Sequence, residues 1–214
     1  RIIMKICTTK TRLTEEEALQ LASRDNSGLI GAFFNKLGHV PKEVSVLQIR
    51  KFYYPYYLEA AEAKLLRAAG LPTRRVVYTV AMEGGFGTVQ QMKGRPATSY
   101  EEVDPSAVVV CKIDKAGADA NVAKFIKRRA YKIFHQYPQV STLEAYVVYK
   151  PHYACLCQKG ERRFFRILDA EIKDRNFMLD IKFRELTFMD KDAANDRIDP
   201  ALFFPENSPA ADEL

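Results

Sequence analysis

Val44-Ser45-Val46-Leu47-Gln48 leads into Phe52-Tyr53-Tyr54-Pro55-Tyr56-Tyr57, and 96 residues later Val140-Ser141-Thr142-Leu143-Glu144 leads into Val148-Tyr149-Lys150-Pro151-His152-Tyr153. At that constant offset Val44/Val140, Ser45/Ser141, Leu47/Leu143, Tyr53/Tyr149, Pro55/Pro151 and Tyr57/Tyr153 are identical. Self-similarity of this kind marks one supersecondary unit used twice. Downstream, Arg74-Arg75-Val76-Val77 matches Arg162-Arg163-Phe164-Phe165, and Glu83 falls against Glu171. Upstream, Ile6-Cys7 falls against Val110-Cys111.

Local signals give each copy the same order: strand, helix, strand with Tyr-x-Pro-x-Tyr, turn, strand. Ile2 to Cys7 and Val108 to Ile113 are β-branched and apolar, as buried strands are. Thr14-Glu15-Glu16-Glu17 is a capping box that opens a helix through Ala18, Leu19 and Leu21. The stretch Arg24 to Gly28 breaks that helix before a second helical piece ending at Gly38. In copy two, Val122, Phe125, Ile126, Ile133 and Phe134 recur at helical spacing, and the helix stops before Pro138. Leu58 to Ala69 is rich in helix formers and reads as a short helix inserted in the first hairpin. Phe177, Leu179, Ile181 and Phe183 alternate with polar residues and read as a one-sided strand.

These elements predict an α+β fold of two tandem βαββ-type repeats, each an antiparallel sheet packed by a helix, related by a pseudo-twofold axis. The first repeat spans 1–100 and the second 101–190, with an irregular tail over 191–214. Side chains alternate along a strand, so Tyr53, Pro55 and Tyr57 share a face, as do Tyr149, Pro151 and Tyr153. Proline has no N–H for a ladder, so each strand is expected to be an edge, to bulge or to end there. Tyr53, Tyr57, Tyr149 and Tyr153 are then candidates to meet a protein partner by strand addition or aromatic contact. The competing reading is that these rings finish a core.

Composition narrows the function. The chain has 214 residues, a net charge of +6 and 47% hydrophobic content, enough for two small cores and no basis for disorder throughout. No apolar run reaches the ~20 residues that span a bilayer. Residue 1 is Arg, so the chain reads as a processed or excised piece. An upstream anchor or signal peptide would place it at a membrane or cell envelope.

The basic stripe Lys124, Lys127, Arg128 and Lys132 is the electrostatic candidate, for nucleic acid or an anionic membrane surface. Its bland counterpart is a solvated helix face. Cys155 and Cys157 share a strand face while His152 points to the other, so the three do not converge on one metal. His39, His135 and His152 are too dispersed for a triad. Asp169 and Glu171 share a face and read as charge partners of Arg162, Arg163 or Arg166 more simply than as an acid/base pair. Gly84-Gly85-Phe86-Gly87 lies between strand-like segments and reads as a hairpin turn. No dinucleotide fingerprint or P-loop occurs, and no residue set calls for a metal or a cofactor. A third reading, an enzyme or small-ligand pocket between the copies, needs converging polar groups that spacing alone does not assemble.

The opening Leu13-Thr14-Glu15-Glu16-Glu17-Ala18, with a strand pair beyond it, resembles the PepSY domains of bacterial envelope and protease-associated proteins. The family's closing aspartate and glycine turn is divided here: copy two has Leu168-Asp169-Ala170 without the glycine, and copy one has Gly84-Gly85 without the aspartate. The resemblance implies a cystatin-like, non-catalytic α+β module that binds or modulates a protein partner.

Overall fold

The computed structural model describes residues 3–24, 44–67 and 71–189. In chain order the elements are β1 (Met4–Thr9), α1 (Glu15–Ser23), β2 (Ser45–Leu65), β3 (Arg74–Glu83), β4 (Val89–Gln91) and β5 (Thr98–Val103). A 3-10 turn (Pro105–Ala107), α2 (Lys115–Phe134), β6 (Gln139–Lys159), β7 (Arg162–Asp169), β8 (Asp174–Arg175), α3 (Phe177–Lys182) and a second 3-10 turn (Phe183–Glu185) follow. The fold is mixed α+β.

The chain divides into two compact units, and neither is a contiguous half. Unit 1 takes residues 1–9, 54–149 and 187–214; unit 2 takes 10–53 and 150–186. The expected division near residue 100 therefore does not describe them. Each boundary falls inside a 21-residue strand, at Tyr53/Tyr54 in β2 and at Tyr149/Lys150 in β6. One strand thus contributes to two cores, which a division by chain position overlooks.

In unit 1 the strand order is β4-β3-β2-β6-β1-β5. β2 and β3 pair antiparallel from Tyr56↔Glu83 to Leu65↔Arg74, and β1 and β5 from Met4↔Val103 to Thr9↔Thr98. Helix α2 starts at Asp114, whose carboxylate accepts from the Gly117 N–H at 2.8 Å. It ends at His135 in the left-handed region (φ 53°), before Pro138 as expected. Its buried residues Ala118, Val122, Ile126 and Ala130 recur every four positions, one face of a helix turned to the core.

Two expected elements of unit 1 differ. Leu58 to Ala69 holds no helix over its described residues, because β2 runs on to Leu65 against β3. Ala61, Ala63 and Leu65 are buried while Ala60, Glu62 and Lys64 are half-exposed, a period of two. Ladder bonds along ten register pairs outweigh a helix propensity worth only tenths of a kcal/mol per residue. Val108 to Ile113 is not a strand; Val108 and Val109 are buried, and Val109 makes one bridge to Phe188.

In unit 2, β6 pairs β7 from His152↔Asp169 to Lys159↔Arg162, and β7 pairs β8 at Leu168↔Arg175 and Asp169↔Asp174. The α1 capping box forms as predicted: Thr14 Oγ1 accepts from Glu17 N at 3.2 Å, and the Glu17 carboxylate from Thr14 N at 2.9 Å. Ala18 and Ala22 pack with Leu13, Val44, Tyr153, Cys155, Cys157, Leu168 and Ala170. Phe177 to Phe183 is not a strand. Asn176 caps a short helix by accepting from Leu179 N at 3.1 Å, and of the alternating apolar set only Leu179 is buried. The second helical piece ending at Gly38 and the tail from Asp190 lie outside the described residues.

The prolines do not mark edges. β2 lies between β3 and β6, and β6 also pairs β7. Pro55 sits one position past the last β2–β3 pair, where its carbonyl accepts from Gly84 N at 2.8 Å. Pro151 sits one position past the last β6–β7 pair, where its carbonyl accepts from Ala170 N at 2.9 Å. In each case the neighbour leaves the ladder where an N–H would be missing.

Candidate functional site

The four tyrosines proposed for a partner are inside. Tyr53, Tyr57, Tyr149 and Tyr153 are 4%, 1%, 0% and 6% exposed. The Tyr57 hydroxyl donates to the Asp119 carboxylate, and Tyr153 belongs to the apolar cluster of unit 2. Phe52 and Tyr54, on the opposite parity of β2, are also fully buried, so both faces of the strand are covered there. Their rings complete cores and present no surface for aromatic contact with a partner.

The carboxylates at the hairpin corners act on the backbone. Glu83 accepts from Gly85, Phe86 and Thr88 N–H at 3.1–3.2 Å and from the Tyr54 hydroxyl. A Cβ at Gly85 would collide with that hydroxyl, so the turn needs glycine there. Asp169 accepts from Glu171 and Ile172 N–H at 2.9 and 3.2 Å and from Lys150 Nζ at 2.7 Å. Asp169 thus caps its own corner through the backbone, as Glu83 does at the other. Lys150 also meets Glu171 at 3.2 Å, in place of the expected Arg162, Arg163 or Arg166. Lys150 precedes His152, the register partner of Asp169, by two residues and so lies beside this corner.

Burial alone would raise the Asp169 carboxyl, but His152, which acts only once acid protonates it, and Lys150 outweigh it and hold it below its usual value. Burial lowers the pKa of His152, so the imidazole is neutral at pH 7 and Lys150 is the counter-charge there. His152 stacks on Phe52 at 5.4 Å between centroids. Cys155 and Cys157 are buried, and burial pushes the Cys155 thiol up to about 12. Among the described residues no three His, Cys, Asp or Glu side chains converge to hold a metal ion. His135 caps α2, and His39 lies outside the described residues.

Glu59 carries no signal in the sequence, since it sits in a run of helix formers. It is 2% exposed; Oε1 accepts from Thr142 at 2.7 Å, and Oε2 has no hydrogen-bond partner among the described residues. Burial pushes its pKa to about 7, with Asp119 adding to the rise. Between its ordinary 4.5 and about 7 the folded protein holds a proton that the unfolded chain has released. Stability contributed by this proton is full at low pH and is lost as pH rises through that window. Glu59→Gln is expected to flatten this decline and to stabilise the protein at pH 8 by on the order of 2 kcal/mol. Urea melts of both proteins at pH 5 and pH 8 check this; an equal pH dependence in the variant would overturn it.

Two basic surfaces remain. Lys124, Lys127, Arg128 and Lys132 are all exposed on α2, as the helical spacing predicted. Nearby, Tyr131 and Tyr137 stack at 4.6 Å and are 43% and 67% exposed. The second surface is a groove of about 530 Å³ in unit 2. Among the described residues, Lys159, Arg162, Arg166, Arg175 and Asp180 line it, and Phe164, Phe165 and Ile181 form its apolar walls. Its cations come from three chain segments that only the β6–β7 hairpin and the β8–α3 corner bring together, so sequence spacing does not show it.

The groove runs along the outer side of β7. Ile167 turns away from β6: its N–H donates to Asp180 Oδ1 at 2.6 Å, and its carbonyl accepts from Asn176 N at 2.7 Å. β8 covers Leu168 and Asp169. From Arg162 to Arg166 the outer edge pairs with no strand among the described residues. By the two-residue period of a strand, the N–H and carbonyl of Arg163 and Phe165 also point outward.

Comparison with known families, curated proteins and solved structures returns no match. Among the described residues no helix is long and apolar enough to cross a membrane.

Proposed function

We propose that this chain is a non-catalytic protein-interaction module that takes an acidic, extended segment of a partner along the outer edge of β7. The observation that carries this reading is the edge from Arg162 to Arg166, unpaired among the described residues, beside the cations that line the groove. An open strand edge offers main-chain hydrogen bonds to an added strand, and flanking cations select its charge. This moves the strand-addition idea from the tyrosine strands to β7.

The module would be two diverged copies of a cystatin-like, PepSY-like unit. Equivalent detail in the two units supports that reading. Pro55 with Gly84 and Pro151 with Ala170 share one hydrogen bond, and Glu83 and Asp169 cap the two corners. Lys112 N donates to Gly84 O ahead of α2, as Arg12 N donates to Ala170 O ahead of α1. Each unit would then combine the helix of one copy with the hairpin of the other.

The test uses the outward N–H of Arg163. Arg163→Pro removes a donor that an added strand needs, while the register partner Gln158 sits on the opposite side of β7. Binding of a poly-Glu-rich extended peptide, followed by fluorescence anisotropy, is expected to weaken at least about tenfold in the variant. Unchanged affinity would overturn strand addition.

A second reading is favoured by the exposed α2 stripe and the Tyr131–Tyr137 pair, which together suit nucleic acid or an anionic membrane. Binding through it would fall steeply with salt and vanish on replacing Lys124, Lys127, Arg128 and Lys132 by alanine. Arg163→Pro would leave it unchanged.

A further inference from the structure

We infer that the unit 2 groove contains an oxyanion subsite centred on Arg166, suited to the phosphate monoester of a phosphorylated side chain. The inference deepens the reading of the groove as the partner surface and rests on it. Arg166 is 6% exposed yet lines the groove. Its Nη1 donates to the carbonyls of Ala22 and Arg24, which fixes the guanidinium plane. Its Nε is buried and has no hydrogen-bond partner among the described residues. A buried guanidinium donor without an acceptor is costly, and an oxyanion bound side-on to a guanidinium uses Nε together with the second amino group. The Phe164 ring lies 5.3 Å from the Arg166 guanidinium carbon and steadies it from one face.

The surrounding charge selects the kind of anion. Among the described residues of the groove, Arg162 and Arg175 stand with Arg166, and Asp180 is the carboxylate beside them. Asp180 is itself engaged by Ile167 N–H and by Arg175 Nε. Among the described lining residues, three arginines against one carboxylate leave positive charge that a phosphate dianion fills better than a carboxylate does. Fixed guanidinium forks, rather than mobile ammonium groups alone, favour planar bidentate contact over diffuse attraction.

The test is an NMR titration of the intact chain, following the arginine Nε–Hε signals, with inorganic phosphate or acetate at constant ionic strength. Phosphate is expected to shift the Arg166 signal saturably and to bind at least about tenfold more tightly than acetate. Arg162→Gln, at an exposed position, should weaken phosphate about fivefold or more without moving Tm. Arg166→Lys should abolish the selectivity even if it also lowers Tm. Equal response to acetate, or an Arg166 signal that phosphate does not move, would overturn the subsite. An acidic peptide that binds in an Arg163-dependent way while phosphate does not bind would sink the subsite and leave strand addition standing. Phosphate binding without peptide binding would do the reverse.

Discussion

Tyr149→Ala is expected to destabilise the protein by about 3–5 kcal/mol, the cost of deleting a fully buried aromatic side chain and leaving a cavity. Tyr149 is 0% exposed in β6, where Thr8 Oγ1 donates to its carbonyl at 2.8 Å and β1 joins the strand at Thr8. A loss of that size is a large share of an ordinary domain's stability and lowers Tm by roughly 6–20 °C. Tyr53→Ala, Tyr57→Ala and Tyr153→Ala should also lower Tm, since all three rings are at most 6% exposed. Lys124→Ala, on the exposed face of α2, should stay within about 0.5 kcal/mol. Calorimetry of the series checks this ranking. Tyrosine variants with an unchanged Tm and a lost partner would show that the rings belong to a surface.

Asp169→Ala has the other large expected effect, about 3–5 kcal/mol, because it removes one partner of an ion pair that is mostly out of water. The carboxylate side chain is 6% exposed and the Lys150 side chain 19%. Its loss also strands the N–H groups of Glu171 and Ile172 at the corner. Glu171, 3.2 Å from Lys150, softens the loss but cannot reach back to cap its own turn. Asp169→Asn keeps an acceptor for the corner and should cost less. The pH dependence follows from two depressed pKa values. The Asp169 contribution is full above its unfolded value of 3.8 and is lost as pH falls through the lower folded value. Below pH 6.5 the unfolded chain protonates a histidine that the folded chain keeps neutral, so His152 makes stability fall further with acid. Urea melts carried from pH 7 to well below pH 3.8 should show the wild-type advantage over Asp169→Ala holding above that value and shrinking below it. An advantage that is constant with pH would contradict the ion-pair account.

Signals confined to one turn of chain were legible in the sequence. Thr14 and Glu17 lie three residues apart and cap each other wherever the rest of the chain goes, and Val122 and Ile126 need only a helix to share a face, although Ile133 of the same expected set is exposed. The stretch Leu58 to Leu65 was not legible, because its alanines, two glutamates and lysine favour a helix while its strand state depends on pairing with β3. Phe177 to Phe183 failed in the opposite direction: two-residue alternation needs a neighbouring strand to mean anything, and Asn176 caps a helix there instead. The tyrosines show a further limit. Alternation tells which side chains share a face, but not whether that face meets solvent or a second layer. For β2 at Phe52 to Tyr54, both faces are covered. The groove was invisible for a related reason, since Lys159, Arg162, Arg166 and Arg175 become one surface only after the hairpin closes and β8 folds back on β7.

The most direct test of the partner edge is backbone amide mapping by ¹H–¹⁵N NMR as the intact chain is titrated with an acidic extended peptide. The edge reading predicts saturable shifts and slowed exchange at Arg163 and Phe165, whose N–H groups face outward, with little change across Lys124 to Lys132. Shifts confined to the α2 face, with Arg163 and Phe165 unmoved, would contradict it.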